Sequence, residues 1–236
     1  MVAVANTFEI PAAEIAANLD LNGFAQVRSV LSRETCEFIC RLYDGPEGQF
    51  RSTINMSRYN FGRGQYRYFA YPLPEIVQSL REQFYPALSG IANIWGERLG
   101  LDRRWPDTLP ELTAMCHDAG QARPTPLILK YGAGDYNCLH QDLYGEIHFP
   151  LQVVLFLSDP EKDYEGGEFV LTEQRPRMQS VPRVLRPSKG DAVIIPVRER
   201  PVNGVRGYYR TQTRHGVSEL RSGTRFTLGL IFHDAA

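Results

Sequence analysis

The sequence predicts a mainly β protein with flanking helices, an α+β arrangement with a double-sheet jelly roll as its core. One observation is a series of short β-rich runs that begins at residue 127, and the other is the turn signals that separate them. Seven or eight short strands at this spacing are typical of a jelly roll. The predicted strands are 127–131, 149–157, 168–172, 181–185, 191–196, 208–213 and 225–233.

The part of the chain before residue 127 has a helical texture. Residues 1 to about 20 form a predicted helical lead-in, and residues 23–30 alternate as a strand does. Ser32 then stands at the N-cap position of a second helix. The longest helical pattern spans residues 74–99, where Pro86 is expected to kink or split the helix. We expect these helices to brace the sheet.

Length and composition indicate one domain over residues 1–236, since β sandwiches and barrels of this size often remain undivided. Apolar residues make up 43% of the chain and charged residues 22%, which is enough for a sizeable core and excludes wholesale disorder. Within the domain, residues 1–124 are predicted to form a helical support with a substrate-wall segment. Residues 125–236 are predicted to form the jelly-roll core that carries the site.

The charge and cysteine content exclude several classes of partner. A formal net charge of −1 gives no overall attraction to polyanions, so nucleic-acid binding would need a local basic face. No apolar run approaches the ~20 residues of a membrane helix, and the N-terminus lacks signal-peptide features. The cysteines form no zinc-ribbon pattern, so we expect reduced thiols in a cytoplasmic protein without a membrane partner. The cysteines are Cys36, Cys40, Cys116 and Cys138.

A metal-ligand pattern stands at the start of the predicted core. His140 and Asp142 are two residues apart, so an extended segment points both side chains to one side. A third ligand, His215, lies beside a late predicted strand. Two histidines and one carboxylate form the facial triad of non-haem Fe(II) oxygenases. A bare His-x-Asp pair is more often a surface turn, so the pattern needs support from other residues.

Arg225 supplies that support. It opens the predicted strand 225–233, and a guanidinium at the inward-facing start of a buried strand needs an anion. Its planar fork suits a carboxylate, and we expect the distal carboxylate of 2-oxoglutarate there. The alternative is a surface arginine paired with an acidic neighbour such as Glu219.

These motifs together resemble a known family. The ordered series resembles the prolyl-hydroxylase-like branch of the 2-oxoglutarate/Fe(II) oxygenases over roughly residues 125–234. Upstream, residues 62–74 resemble a bacterial subgroup associated with oxidative dealkylation of damaged nucleic acid. The motifs are His140-x-Asp142, Tyr164-Glu165-Gly166-Gly167-Glu168-Phe169, Lys189-Gly190-Asp191, His215-Gly216-Val217 and Gly223-Thr224-Arg225.

The resemblance implies a double-stranded β-helix core that uses Fe(II), 2-oxoglutarate and O2. It implies that iron is bound by His140, Asp142 and His215, which are also the catalytic residues. It further implies that 2-oxoglutarate chelates the iron through its keto-acid end while Arg225 holds the far carboxylate.

Two further residues are weaker candidates for contact with the cosubstrate. Tyr131 matches a tyrosine that ends the strand before the His-x-Asp segment in such enzymes, and the alternative is a packed aromatic. Thr227 lies two residues past Arg225 and so on the same strand face. The Gly166-Gly167 turn is expected to be structural, because glycines permit a tight strand connection.

Arginines and aromatics interleave without acidic residues over residues 58–69, which we predict to be the substrate wall. Aromatic faces stack bases and arginines contact phosphates, so Arg63, Tyr66 and Arg67 are candidate contacts with a nucleic-acid substrate. The alternative is an ordinary loop packed on the jelly roll. A second basic cluster is predicted on a mobile hairpin near the mouth of the site. It contains Arg198, Arg200, Arg206 and Arg210.

The predicted function is a dioxygenase that couples oxidative decarboxylation of 2-oxoglutarate to hydroxylation, including oxidative demethylation of a damaged nucleic-acid base. The alternatives are a hydroxylase of a protein side chain or small molecule, and a non-catalytic metal-binding jelly roll. His148 and His233 are expected to be core or rim residues, and His117 is expected in a loop. The sequence leaves open the substrate, the oligomeric state, and whether residues 45–73 form an ordered wall or a lid.

Overall fold

A computed structural model describes residues 9–236 of the chain. The predicted lead-in falls partly on residues 1–8, which lie outside the described residues, and its remainder contains the first helix. The helices are α1 (Ala12–Asn22), α2 (Arg33–Leu42), α3 (Glu75–Arg98) and α4 (Leu109–Asp118). Within residues 9–236, no helix combines a bilayer-spanning length with sufficient apolar character.

Antiparallel strands are the predominant regular structure of the described chain, which confirms the mainly β prediction. The strands before residue 132 are β1 (Ala25–Val27), β2 (Phe50–Asn55), β3 (Gly62–Arg63), β4 (Gln65–Phe69) and β5 (Leu127–Tyr131). Those that follow are β6 (Tyr136–His140), β7 (Leu151–Phe156), β8 (Tyr164–Gly166), β9 (Phe169–Gln174), β10 (Val181–Leu185), β11 (Ala192–Pro196), β12 (Glu199–Gly204), β13 (Gly207–Val217), β14 (Leu220–Gly223) and β15 (Arg225–Leu230).

The strands form two facing sheets, as predicted for a double-stranded β-helix. The major sheet has the order β1-β11-β7-β15-β5-β4-β2, and the minor sheet has the order β10-β9-β13-β6-β3. Strand β12 pairs with β13, and β8 pairs with β14 in a small separate sheet. The chain alternates between the two sheets along β5, β6, β7, β9, β11, β13 and β15, so residues distant in sequence become neighbours across the interior.

The two faces of the major sheet have different roles. In β7, the outward Leu151, Val153 and Leu155 belong to the core cluster that the helices cover. Val154 and Phe156, at the alternate positions, belong to the inner cluster between the sheets. Successive side chains of a strand point to opposite faces of the sheet. The outer face can therefore be apolar while the inner face holds functional side chains.

The segment at residues 45–73 is built into both sheets. Strands β2 and β4 extend the major sheet beside β5, and the short β3 pairs with β6 at the edge of the minor sheet. The segment therefore lies as a wall along one side of the core. Strands from residues 1–124 and from residues 125–236 thus share the same sheets.

The helices match the prediction in part. The Ser32 hydroxyl accepts a hydrogen bond from the Thr35 backbone N–H at 3.1 Å, which confirms the N-cap of α2. Helix α3 runs without interruption through Pro86, so the alternative in which Pro86 splits the helix is wrong. Phe84 and Leu88, both fully buried, pack this stretch into the core on either side of the proline.

Candidate active site

The two histidines predicted as metal ligands face each other on neighbouring strands. His140 ends β6 and pairs directly with His215 of β13, and their ring centroids are 4.2 Å apart. Asp142 follows two residues after His140. Its Oδ2 lies 3.3 Å from His215 Nε2 and its Oδ1 lies 3.6 Å from His140 Nε2. The three side chains therefore converge, with one donor atom from each lying within 4.8 Å of the others.

This donor set fits one divalent metal ion. Ligand atoms about 2.1 Å from an ion and at right angles to each other are about 3 Å apart. The two carboxylate-to-imidazole distances are close to that value. Two imidazoles and a carboxylate on one side of an ion leave the opposite positions free for other ligands.

The protein orients the His140 ring for ligation. Its Nδ1 lies 2.8 Å from the Cys138 carbonyl oxygen, which accepts the Nδ1 proton and leaves the Nε2 lone pair facing Asp142. Burial and the nearby His215 imidazole lower the pKa of His140. The neutral form, which is the form that binds metals, is therefore favoured.

Tyr144 anchors the carboxylate of Asp142. Its hydroxyl donates to Asp142 Oδ1 at 2.7 Å, and the Tyr68 hydroxyl donates to the Tyr144 hydroxyl at 3.0 Å. Burial acts to raise the pKa of Asp142, but His140, His215 and Tyr144 outweigh it and hold that pKa well below its usual range. The sequence analysis missed Tyr144, although its place two residues after Asp142 continues the same alternation.

Arg225 lies between the sheets without a protein partner for its charge. Its side chain is 1% exposed, and none of its guanidinium nitrogens makes a hydrogen bond with a described residue. The rings of Tyr131, Phe156 and Tyr164 lie 5.5, 5.3 and 5.9 Å from its guanidinium carbon. The alternative of a surface arginine paired with Glu219 is wrong, because the guanidinium is buried and unpaired. A buried charge in this state needs a ligand.

The residues at the two ends of the pocket between Arg225 and the triad have the chemistry that 2-oxoglutarate requires. The unpaired guanidinium can take a carboxylate in a bidentate contact at one end, and the metal ligands lie at the other. The walls between them are mostly apolar, which would keep water away from a bound cosubstrate. The lining includes Leu129, Tyr131, Val154, Phe169, Val217 and Thr227.

The two weaker cosubstrate candidates both line this pocket. Tyr131 pairs in register with Arg225, and its hydroxyl accepts a hydrogen bond from Asn137 Nδ2 at 3.2 Å. Thr227 is 3% exposed and follows Arg225 on the same face of β15. Asn137 also lines the pocket, and the sequence analysis missed it.

Gln152 is a further pocket residue that the sequence analysis missed. It lies on the inner face of β7, is 2% exposed, and its Nε2 has no hydrogen-bond partner among the described residues. A readable signal was present, because this amide interrupts an otherwise apolar predicted strand. Buried amides without a protein partner are uncommon, so Gln152 is a candidate contact for a bound ligand.

The structure separates the three residues predicted to contact substrate. Tyr66 is half-buried on the inner face of β4, where burial and, more weakly, the nearby Asp142 raise its pKa. Arg63 is exposed on β3. Arg67 lies on the outer face of β4, with its guanidinium carbon 3.9 Å from the centre of the Phe50 ring. The structure therefore brings Tyr66 near the triad and points Arg67 away from it.

The predicted basic hairpin exists, but one of its arginines is not on the surface. Strands β12 and β13 pair up to Gly204 and Gly207. Arg200 is 2% exposed and forms an ion pair with Glu173 at 2.7 Å, so its assignment to the basic cluster at the mouth is wrong. A buried partner 27 positions away cannot be inferred from the local composition.

The remaining histidines lie outside the triad. His233 is fully buried, and its Nδ1 accepts a hydrogen bond from the Phe149 backbone N–H at 3.1 Å, which confirms a core position. Burial lowers the pKa of His233 to about 3. His117 lies in α4 and contacts Asp234 at 3.0 Å, so its prediction in a loop is wrong. His148 is half-buried.

Comparison with solved structures supports the fold. A prolyl-4-hydroxylase from Pseudomonas putida superimposes with a TM-score of 0.54 at 16% identity, covering 95% of this chain and 100% of that one. A prolyl hydroxylase from Trichoplax adhaerens, solved with a hypoxia-inducible-factor peptide fragment, gives 0.55 at 15% identity, covering 94% and 89%. At these identities the likeness shows the jelly-roll fold alone.

The jelly roll brings His140, Asp142 and His215 together in the arrangement of the facial triad of non-haem Fe(II) oxygenases. A sequence profile of the Oxygenase-NA family, described as an oxygenase catalysing oxidative methylation of damaged DNA, matches residues 64–235. The chain belongs to this family and is an enzyme that uses Fe(II), 2-oxoglutarate and O2. An uncharacterized protein of Mycobacterium tuberculosis, found in strains H37Rv and CDC 1551, is 52% identical over 168 residues, covering 71% of this chain and 72% of that protein.

Proposed function

We propose that the enzyme removes methyl groups oxidatively from damaged bases of nucleic acid. The class of chemistry follows from the family and the fold, while the substrate is our proposal. The support for a nucleic-acid substrate is the family's description together with the acid-free wall of aromatics and arginines beside the triad.

In this proposal His140, Asp142 and His215 hold the iron, and Arg225 holds the distal carboxylate of 2-oxoglutarate. The observation that carries the assignment is the buried Arg225 guanidinium, which has no hydrogen-bond partner within residues 9–236 and lines the same pocket as the triad. The bound iron, 2-oxoglutarate and O2 would supply oxidation of a substrate C–H bond, coupled to release of carbon dioxide and succinate.

The chain's own residues then act by binding and by exclusion of water. Arg225 and Tyr131 fix the cosubstrate at its far end, and Thr227 lies beside them. Tyr144 keeps the Asp142 carboxylate in one orientation through its hydrogen bond. A methyl group on a base nitrogen that gains a hydroxyl then loses formaldehyde as the N–C bond breaks and the nitrogen takes the proton.

The substrate would enter past the tyrosines of the wall. Tyr66 and Tyr68 lie on the inner face of β4, with their ring centroids 5.3 Å apart in an edge-to-face contact. Tyr68 also contacts the ring of Tyr144 at 6.0 Å. Rings at the entrance can pack against a base that has left its stack. Arg67 takes no part, since it faces the other side of the sheet.

The first test concerns the metal and the cosubstrate. Anaerobic Fe(II) with 2-oxoglutarate should give a weak visible charge-transfer band, which His140→Ala and Asp142→Ala should abolish. His148→Ala is the matched control, because it removes a half-buried histidine that is not a member of the triad, and it should keep the band. A wild-type protein without the band would leave the non-catalytic module as the better reading.

The second test concerns the substrate. Succinate and formaldehyde should form with a single-stranded oligonucleotide that has been chemically methylated, and not with the same strand unmethylated. Formation of succinate at the same rate with both strands would contradict the nucleic-acid proposal and favour a protein side chain or a small molecule.

We also propose that the protein works in the cytoplasm. The support is that all four of its cysteines are free thiols in the structure. Burial raises the pKa of Cys36 to about 12 and that of Cys40 to about 11, so both stay protonated and unreactive. Fractionation of cells that express the protein tests the location.

A further inference from the structure

Tyr59 and Phe61 form an exposed, stacked aromatic pair. Their ring centroids are 5.6 Å apart with planes inclined by 20°, and the side chains are 54% and 48% exposed. Large aromatic side chains bury much area when they can, so two that stack in solvent indicate a binding surface. We propose that this pair stacks the bases that flank the damaged base in a single strand of nucleic acid. The inference rests on the proposed function and extends it to the form of the substrate.

The pair is fixed beside the triad. The Phe61 carbonyl oxygen accepts a hydrogen bond from the Cys138 backbone N–H at 2.8 Å, and Gly62 pairs with Asn137 of β6. Phe61 is therefore attached to the strand that ends in His140, two residues beyond Cys138. A single strand of nucleic acid that lies on Tyr59 and Phe61 would therefore pass the mouth of the pocket.

The loop that presents the pair is braced internally. Met56 is fully buried below it, with its N–H donating to the Gly64 carbonyl at 3.1 Å and its own carbonyl accepting from the Phe61 N–H at 3.2 Å. Gly62 adopts a φ of 130° and lies so close to the Tyr136 carbonyl that a side chain would collide with it. The backbone that carries the two rings is thus braced before any ligand arrives, which lowers the entropic cost of binding.

The charges around the pair suit a polyanion. No acidic residue occurs from residue 48 to residue 74. Arg58 and Arg63 flank the pair, both are exposed, and neither forms an ion pair with a described residue. Phosphates of a single strand are the natural partners of such guanidinium groups when the bases stack on neighbouring rings.

An open groove of about 590 Å³ continues from this surface and adds a further cation. Arg63 and Lys130 line it, and the Lys130 Nζ lies 5.2 Å from the centre of the Tyr43 ring and 5.5 Å from that of Phe226. Among the described residues, Asp135 is the one carboxylate in the lining, and it accepts a hydrogen bond from the Gly132 N–H at 2.8 Å. The groove therefore offers two cations that form no ion pair with a described residue.

The test measures binding without iron or 2-oxoglutarate. Fluorescence anisotropy with a fluorescein-labelled, unmethylated oligothymidylate reports the Kd of wild type, Tyr59→Ala and Phe61→Ala. Each alanine variant should weaken binding about 5-fold to 150-fold, the loss expected for one stacked base. Phe61→Tyr should restore near-normal binding because it keeps the ring. Arg58→Gln and Arg63→Gln should each reduce the salt slope of log Kd by about 0.7.

Tyr208→Ala is the matched control. Tyr208 is 43% exposed on the basic hairpin, with the Arg98 guanidinium carbon 4.9 Å from its ring centre. Its loss should change Kd by less than about twofold. The stacking platform formed by Tyr59 and Phe61 is overturned by any of three results. These are that wild type does not bind, that both alanine variants bind as wild type does, or that Tyr208→Ala is the variant that weakens binding.

The outcomes separate this inference from the proposed function. Wild type that binds the strand through Tyr59 and Phe61 but does not demethylate it would keep the platform and reject the reaction. Wild type that demethylates a strand while both alanine variants retain its Kd and KM would keep the reaction and reject the platform. Thermal midpoints of the variants confirm that each is folded.

Discussion

Two buried arginines show how differently the same side chain is used in this molecule. Arg200 is 2% exposed, and its guanidinium is shared between the Glu173 carboxylate and the carbonyls of Leu19 and Asp20. Arg225 is 1% exposed, and its guanidinium has no hydrogen-bond partner among the described residues. The hydrogen bonds of Arg200 are therefore satisfied by the protein itself, whereas those of Arg225 need a bound ligand.

The location of each arginine explains the difference. Arg200 joins the last turn of α1 to β12 and β9, so its bonds hold the N-terminal helix on the jelly roll. Arg225 lies in the pocket shared with His140 and Asp142, where a protein carboxylate would block the cosubstrate. A buried charge that lacks a partner therefore marks function more clearly than a perturbed pKa does.

Replacement of Arg200 should give the largest loss of stability. Arg200→Met removes the 2.7 Å partner of the Glu173 carboxylate and leaves that carboxylate only the exposed Arg175 at 3.5 Å. It also removes the hydrogen bonds to the Leu19 and Asp20 carbonyls, so the free energy of unfolding should fall by about 3 kcal/mol. Urea denaturation at pH 7 measures this fall. The double variant Arg200→Met/Glu173→Leu should recover part of the loss, since it also removes the carboxylate that has lost its nearest partner. A loss below that of an average surface substitution would contradict the comparison.

Replacement of Arg225 should change binding and leave the free protein stable. Arg225→Met removes a buried charge that has no partner, so stability without cosubstrate should change little or rise. The Kd for 2-oxoglutarate should rise by about 30-fold to 1000-fold, since the truncation loses roughly 2–4 kcal/mol of a buried ionic contact. Arg225→Lys keeps the charge but loses the planar guanidinium, so its Kd for 2-oxoglutarate should lie between those of wild type and Arg225→Met.

Anaerobic titration with Fe(II) present gives the affinity, and thermal unfolding without ligand gives the stability. Wild type should gain about 2.7 kcal/mol at a hundredfold excess of 2-oxoglutarate over its Kd. If Arg225→Met unfolds as easily as Arg200→Met before any ligand is added, the two arginines do not differ in the way described.

At the metal end of the pocket, the Asp142 carboxylate already has a protein partner in Tyr144. Replacement of Tyr144 tests whether that partner supports metal binding. Tyr144→Phe removes the hydrogen bond to Asp142 and should weaken Fe(II) binding about 10-fold to 100-fold. Tyr68→Phe acts one hydrogen bond further away and should have a smaller effect. Metal titration under anaerobic conditions measures both, and equal effects of the two variants would argue against a role through Asp142.

The sequence was sufficient for the features that depend on spacing. Alternation placed His140 and Asp142 on one side of an extended segment, and the turn signals divided the core into seven strands near their observed bounds, but they did not predict β6, β8 or β14. Arg225 was identified because a charge at the start of an apolar strand demands an explanation. These inferences use neighbours in sequence or the period of a strand.

The features that the sequence did not predict depend on contacts across the fold. Arg67 and Tyr66 are adjacent in a segment of uniform composition, and only the sheet decides which one faces the pocket. Arg200 looked like a surface cation because its partners lie in other elements. Helix α4 was not predicted, although its start carries a local signal. The Thr108 N–H and hydroxyl both donate to the Glu111 carboxylate, three residues later.

Arg186, a third arginine, is exposed and paired, and its replacement should have the smallest effect on stability of the variants compared. Arg186 is 52% exposed and donates to the Glu168 carboxylate at 2.6 Å. Because solvent screens such a pair, Arg186→Ala should lower the free energy of unfolding only slightly at pH 7. The value should fall well below that of Arg200→Met if burial decides what an arginine contributes.

The same variant has a pH signature of defined sign. The Ser218 hydroxyl and then Arg186 lower the pKa of Glu168 from 4.5 to about 2. A depressed carboxyl pKa stabilises the folded state above the unfolded pKa, and this stability is lost as the pH falls toward 2. The difference between wild type and Arg186→Ala should therefore be constant above about pH 5 and shrink below it. Urea midpoints at pH 7, 4 and 3 measure it, and a difference that grows on acidification would show that Arg186 does not act through Glu168.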